Sequence, residues 1–128
     1  IAANIALGNT DDHARNHAAS WDGRHLRLAA AYDIDPCRTP GWDANQAMAY
    51  GRSGERGSNL RLLLRQASVY DLTYNRARSI VDEVIEAITS YWSQALTVAR
   101  LTREQGEQMR GTQILNPGVL DGLPVKPT

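Results

Sequence analysis

The chain has 128 residues, 42% of them hydrophobic, which suits one domain with a modest core and excludes a wholly disordered polymer. Fourteen Lys and Arg balance fourteen Asp and Glu, so no global field draws it toward nucleic acid or an anionic membrane, and any phosphate recognition has to be local. One cysteine, Cys37, excludes an internal disulfide and fits a reducing cytoplasm, and no apolar run approaches the roughly 20 residues that span a bilayer.

The opening run Ile1-Ala2-Ala3-Asn4-Ile5-Ala6-Leu7 is apolar and stops at Gly8-Asn9, residues that close helices and turn the chain. It predicts the last turns of a buried helix delivering the backbone into a loop. Because the sequence opens inside an apolar run and without Met, it reads as a C-terminal piece of a longer protein. The loop holds Asp11-Asp12-His13-Ala14-Arg15-Asn16. Short runs on either side of Asp22-Gly23 then predict a β hairpin over 17–29, since both central residues tolerate positive φ. Folding back at that point would bring Asp33, in Ala31-Tyr32-Asp33-Ile34-Asp35, beside Asn16.

An Asp, an Asn five positions later and a further Asp is the order of a phosphoryl-transfer site. There, one carboxylate takes the proton of the attacking hydroxyl, and the amide and second carboxylate hold Mg²⁺ against the nucleotide phosphates. That order makes Asp11 the expected base and Asn16 and Asp33 the expected metal ligands. Such a site also needs a cation and a Gly-rich turn on the phosphates. The sole lysine is Lys126, in a Pro/Gly tail, so the nucleotide-gripping half is expected upstream.

Residues 36–58 are rich in Pro, Gly and Ser and predict loop, with one short hairpin near Met48-Ala49-Tyr50. Leu60, Leu62, Leu63, Leu64 and Ala67 predict a short apolar helix. A long amphipathic helix follows from Tyr74 to Leu101, with Asp71 or Thr73 as its N-cap. Thr102 and Gln105 form a capping box for another helix, which Gly106 and Gly111 interrupt. Asn116-Pro117-Gly118 is expected to end ordered structure, leaving 117–128 as a flexible tail. The fold class is therefore mainly α with a small β hairpin.

The same residues also admit plainer roles than phosphoryl transfer. Acidic loops are commonly caps or turns. His13 and His17, with Asp11 and Asp33, could form a metal-dependent hydrolase site, although Ala18-Ala19-Ser20 looks extended and would hold the two imidazoles apart. A non-catalytic helical interaction module is a further alternative. Arg52, Arg56 and the glycines around them could cradle a phosphate or contact a phosphorylated loop but read first as a turn, and Asp35 before Pro36 reads as a turn former that could also lie near the metal. His25 is a strand residue, Cys37 an incidental small side chain, and Trp21, Trp42 and Trp92 packing residues.

Gly8-Asn9-Thr10-Asp11-Asp12-His13-Ala14-Arg15-Asn16-His17 followed by Ala31-Tyr32-Asp33-Ile34 resembles the C-terminal lobe of HipA-like serine/threonine kinases, the toxins of bacterial toxin–antitoxin pairs. The resemblance continues more faintly through Gln46-Ala47-Met48-Ala49-Tyr50-Gly51. It implies that 1–120 is a C-lobe fragment, with a catalytic loop at 8–17, a hairpin at 17–29, a metal-binding segment at 31–35 and helices after 58. It further implies Asp11 as general base, Asn16 and Asp33 on Mg²⁺, and His13, Arg15, Asn16, Tyr32 and Asp33 around ATP. Arg15 stands where the family usually has Lys, which keeps the charge and adds a bidentate fork. The implied substrate is a protein hydroxyl, for instance on an aminoacyl-tRNA synthetase or another translation factor. The implied partner is a HipB-like DNA-binding antitoxin, with no membrane and no direct nucleic-acid contact. A fragment without the ATP-binding lobe is expected to be inactive alone.

Overall fold

The computed structural model describes residues 1–38 and 43–124, and its architecture is helical with one small antiparallel ribbon. Helix α1, Ala2–Ala6, buries Ile5 and Ala6 and ends as expected at Gly8, whose φ is +71°. After a loop and a single 3₁₀ turn, Ala14–Asn16, the ribbon pairs β1, Ala19–Trp21, with β2, Leu26–Leu28. Asp22 makes the reversal: its Oδ1 accepts from the backbone N–H groups of Arg24 at 2.8 Å and His25 at 2.7 Å, and Gly23 takes φ +94°. The same donors, His25 first, hold the Asp22 carboxyl below the usual carboxylate range.

Register sets Ala19 opposite Leu28 and Trp21 opposite Leu26, so these four share one face while Ser20 and Arg27 share the other. Among the described residues that apolar face has little cover, Leu26 being 71% and Leu28 80% exposed. Trp21, expected as a packing residue, is 62% exposed, because nothing among the described residues covers the ribbon on its side. Trp42 lies outside the described residues. Trp92 does pack, against Ala6, Ile114 and Leu115, with the Arg110 guanidinium 5.9 Å from its ring centre.

Helix α2, Leu60–Leu64, is capped by Asn59, whose side chain accepts from the Leu62 N–H at 3.0 Å. A 3₁₀ turn, Ala67–Tyr70, leads to α3, Tyr74–Ala99. Of the two expected caps, Thr73 is the one used, its Oγ1 accepting from the Arg76 N–H at 3.2 Å. The helix stops two residues before the expected end. Arg100 adopts φ +55°, and the Leu101 N–H reaches back to the Leu96 carbonyl at 2.9 Å, a Schellman closure. Helix α4, Arg103–Thr112, opens on the expected reciprocal capping box between Thr102 and Gln105. It runs straight through both glycines. Gly106 has a packing reason: a Cβ there would lie 2.5 Å from Leu96 Cδ1, so the bare backbone lets α4 close on α3.

The expected tail is corrected over its first part. Pro117–Leu120 form α5, with Asn116 as N-cap and Pro117 at the first position, where its missing N–H costs nothing. Val119 is 2% exposed and joins Ile5, Leu60, Leu64 and Val81 in the core. Asn59 Nδ2 donates to the Gly118 carbonyl at 2.8 Å and the Asp121 carbonyl at 3.1 Å, fixing this end to the start of α2. Burying each large side chain in that core contributes roughly 1.5–3 kcal/mol. The segment is therefore structural, not loose; residues 125–128, including Lys126, lie outside the description. The short hairpin expected near residue 48 is likewise reduced to one isolated bridge, Asn45 with Gly57.

Candidate functional site

The site grows from the end of α1. Below Gly8, Asn9 is 1% exposed; its backbone N–H donates to the Asn4 carbonyl at 2.8 Å and its Nδ2 to Asn4 Oδ1 at 3.2 Å. Further along, the Thr10 carbonyl accepts from the Ala47 N–H at 2.8 Å. These bonds fix the entrance of the loop. The 3₁₀ turn then closes it, the Asn16 N–H donating to the His13 carbonyl at 2.9 Å.

Sequence order placed Asn16 and Asp33 at the two ends of the ribbon, and the structure brings them together: Asn16 Nδ2 donates to Asp33 Oδ2 across 17 residues. The other end of the amide accepts from the His13 backbone N–H at 2.9 Å. A backbone N–H can only donate, so the oxygen must face His13 and the nitrogen must face Asp33. Asn16 Oδ1 keeps a second lone pair. Asp33 holds φ +55°, a conformation rare outside Gly, Asn and Asp, and its carbonyl receives a long bond of 3.5 Å from Asn9 Nδ2.

Asp11 is exposed and meets the group through His13, whose Nε2 lies 2.9 Å from Asp11 Oδ1. The three oxygen-bearing residues thus form one chain of contacts, Asp11 to His13 to Asn16 to Asp33. Tyr32 braces it by donating its hydroxyl to the Arg15 carbonyl at 2.5 Å. The Arg15 guanidinium makes no ion pair among the described residues. Downstream, the Cys37 N–H donates to the Gly8 carbonyl at 3.0 Å and Gln113 Nε2 to the Pro36 carbonyl at 3.2 Å, tying the segment after Asp33 to the loop's origin.

The hydrolase alternative does not gain from this geometry. His13 pairs with Asp11 and His17 with Asp12, two separate couples, and the extended backbone at His17 keeps the imidazoles from sharing a helix face. Among the described residues no group of three or more His, Cys, Asp or Glu is arranged to hold a metal ion. Arg52 and Arg56 flank a tight turn at Gly54, φ +88°, as expected of a loop. What the sequence did not reveal is Asp12, 3% exposed and 2.6 Å from His17 Nε2. A spacing of five fits neither helix nor strand, so no local pattern marks the pair.

A helical domain with a small ribbon and an Asp/Asn/Asp loop system is the class of protein this geometry defines. The family model for the HipA-like C-terminal domain matches residues 1–92, and the chain belongs to that family. HipA-like proteins are in general serine/threonine kinases. No curated protein and no solved structure matches the chain significantly. No helix among the described residues is long and apolar enough to cross a membrane.

Proposed function

We propose that these residues are the chemical end of a serine/threonine protein kinase that transfers the ATP γ-phosphoryl group to a protein hydroxyl. One observation carries the reading: Asn16 and Asp33, remote in sequence, converge on each other at the mouth of the ribbon. In the proposed mechanism the exposed Asp11 carboxylate orients the substrate hydroxyl and takes its proton as the oxygen attacks. His13, bonded to that carboxylate, keeps it aimed outward.

Asn16 Oδ1 and the Asp33 carboxylate are hard oxygen donors, and a single carboxylate completed by substrate phosphates is how Mg²⁺ is commonly bound. The donor set therefore fits the ion, with Asn16 and Asp33 as its holders. When bound, Mg²⁺ supplies charge neutralisation on the β- and γ-phosphates. Arg15, which has no ion-pair partner among the described residues, lies in the same turn and on this reading meets phosphate oxygens. Tyr32, donating to the Arg15 carbonyl, ties the backbone just before Asp33 to the backbone just before Asn16.

Lys126 is the sole lysine and none of the described strands carries one, so on this reading the isolated chain binds ATP weakly and is inactive alone. Family membership supports a toxin whose partner is a HipB-like DNA-binding antitoxin and whose substrate is a translation factor such as an aminoacyl-tRNA synthetase. A cytoplasmic setting fits that assignment. The test is phosphotransfer from labelled ATP by the complete protein. Asp11→Asn is expected to lower kcat at least a hundredfold, in line with the usual contribution of a general base. Equal turnover would remove Asp11 from the role.

A further inference from the structure

We propose that Asp12 and His17 form a clamp that sets the position of Asn16, making them positioning residues for the transfer; this rests on the function proposed above. Adjacent acids in this loop have opposite fates. Asp11 is exposed, whereas the Asp12 side chain is 4% exposed and His17 Nε2 stands 2.6 Å from its Oδ1. No other hydrogen-bond partner of the Asp12 carboxylate occurs among the described residues.

The clamp's two ends bracket residues 13–16, the stretch that carries His13, Arg15 and Asn16. Between them lie His13 and a three-residue 3₁₀ turn, a form whose hydrogen bonds are poorly aligned and whose runs are short. His17 follows Asn16 directly, and its backbone N–H donates to the Ala14 carbonyl at 3.2 Å. Anchoring the imidazole to a buried carboxylate thereby fixes where the Asn16 backbone starts. From that point Asn16 reaches both the His13 N–H and Asp33. Release of the clamp frees the turn, and the Asn16 amide loses its two-sided hold.

The pair is one-sided: the Asp12 carboxylate is buried, while the His17 side chain that meets it is 35% exposed, so the imidazole reaches in from the loop and ties position 17 to a fixed point beneath it. An apolar pair would fill the space without fixing the loop's register. The Asp12–His17 bond has a direction as well as a length, and it acts on the residue next to Asn16, whose amide is the proposed metal ligand.

The test uses the complete protein with His17→Gln, His17→Asn, His17→Phe, Asp12→Ala and the double variant Asp12→Ala/His17→Phe. Two readouts are taken: the Asn16 side-chain amide resonance without nucleotide, and kcat with KM for the protein substrate. Gln places an amide nitrogen near the position of imidazole Nε2 and is expected to keep both readouts within about threefold of wild type. His17→Asn carries the same amide on a shorter stem, and His17→Phe fills the volume without the bond. Each is expected to shift the Asn16 resonance and lower kcat roughly tenfold or more while KM for protein stays within about twofold. The double variant is expected to lose no more than the worse single.

Equal behaviour of Gln and Asn at position 17 would overturn the clamp, and that comparison stands even where Phe does not fold. A double-variant loss equal to the product of the single losses would also overturn it. Should the wild type transfer no phosphoryl group, the kinase reading falls, while an Asn16 resonance unmoved in His17→Asn or His17→Phe separately removes the clamp.

Discussion

Replacing Gly8 with Ala strikes the junction from which the site is suspended. Gly8 sits at φ +71°, and a Cβ there would lie 2.5 Å from the Gln113 carbonyl oxygen and 3.1 Å from its carbon, both backbone atoms. Gly8 also accepts from the Cys37 N–H, and the Leu115 N–H donates to the Ala6 carbonyl at 2.7 Å, so three segments meet within a few ångströms. The left-handed conformation costs an alanine about 1–2 kcal/mol. Overpacking against backbone that cannot rotate away adds roughly 1–3 kcal/mol. The expected loss is therefore about 2–5 kcal/mol, measured as a fall in ΔG of urea unfolding. Gly23→Ala is the internal control, because Gly23 has φ +94° but nothing within 4 Å of its Cβ position. It is expected to lose only the conformational share, about 1–2 kcal/mol. A Gly8→Ala loss no greater than that of Gly23→Ala would mean that the Gln113 contact carries no weight.

Gly111, by contrast, lies within α4 with open space around its Cβ position, and Gly111→Ala is expected to stabilise the fold by about 0.5–1 kcal/mol, read as a rise in Tm. Burial, assisted by the nearby Glu55 and Tyr70, pushes the Tyr50 phenol up to about 12, while its hydroxyl donates to the Gly57 carbonyl at 2.8 Å. A raised value means that the folded state holds the proton longer than the unfolded one. The stabilisation is thus complete below pH 10 and is lost as pH climbs toward about 12. Urea midpoints measured across that window should fall less steeply in Tyr50→Phe than in the wild type, and parallel slopes would contradict the assignment.

Features governed by neighbours in sequence were legible in advance. Asp22-Gly23 reversed the chain as its turn chemistry requires, and Thr73 and the Thr102/Gln105 box opened helices through bonds spanning three residues. The convergence of Asn16 and Asp33 was also readable, because a ribbon necessarily returns its second strand to the start of its first. Features that depend on distant contacts were not. Asn116-Pro117-Gly118 carries the same residues whether it ends a fold or caps a helix; the deciding factor is the core around Ile5 and Leu60 that receives Val119. Gly106 looked like a helix breaker because the Leu96 side chain it accommodates lies on another helix. Asp12 and Asp11 are indistinguishable as letters, and only the fold buries one and exposes the other. Trp21 shows the converse, an apolar residue whose cover is not among the described residues.

On the function proposed above, Asn16 and Asp33 hold one nucleotide-bound metal ion while Asp11 faces the transferring phosphoryl group as base. The most direct test of that arrangement is a crystal structure of the complete protein with Mn²⁺ and a non-hydrolysable ATP analogue, the ion located by its anomalous signal. The expected result is one ion about 2.1 Å from both Asn16 Oδ1 and an Asp33 carboxylate oxygen, with the Asp11 carboxylate facing the γ-phosphate. An ion bound elsewhere, with the Asn16–Asp33 bond still intact beside the nucleotide, would contradict it.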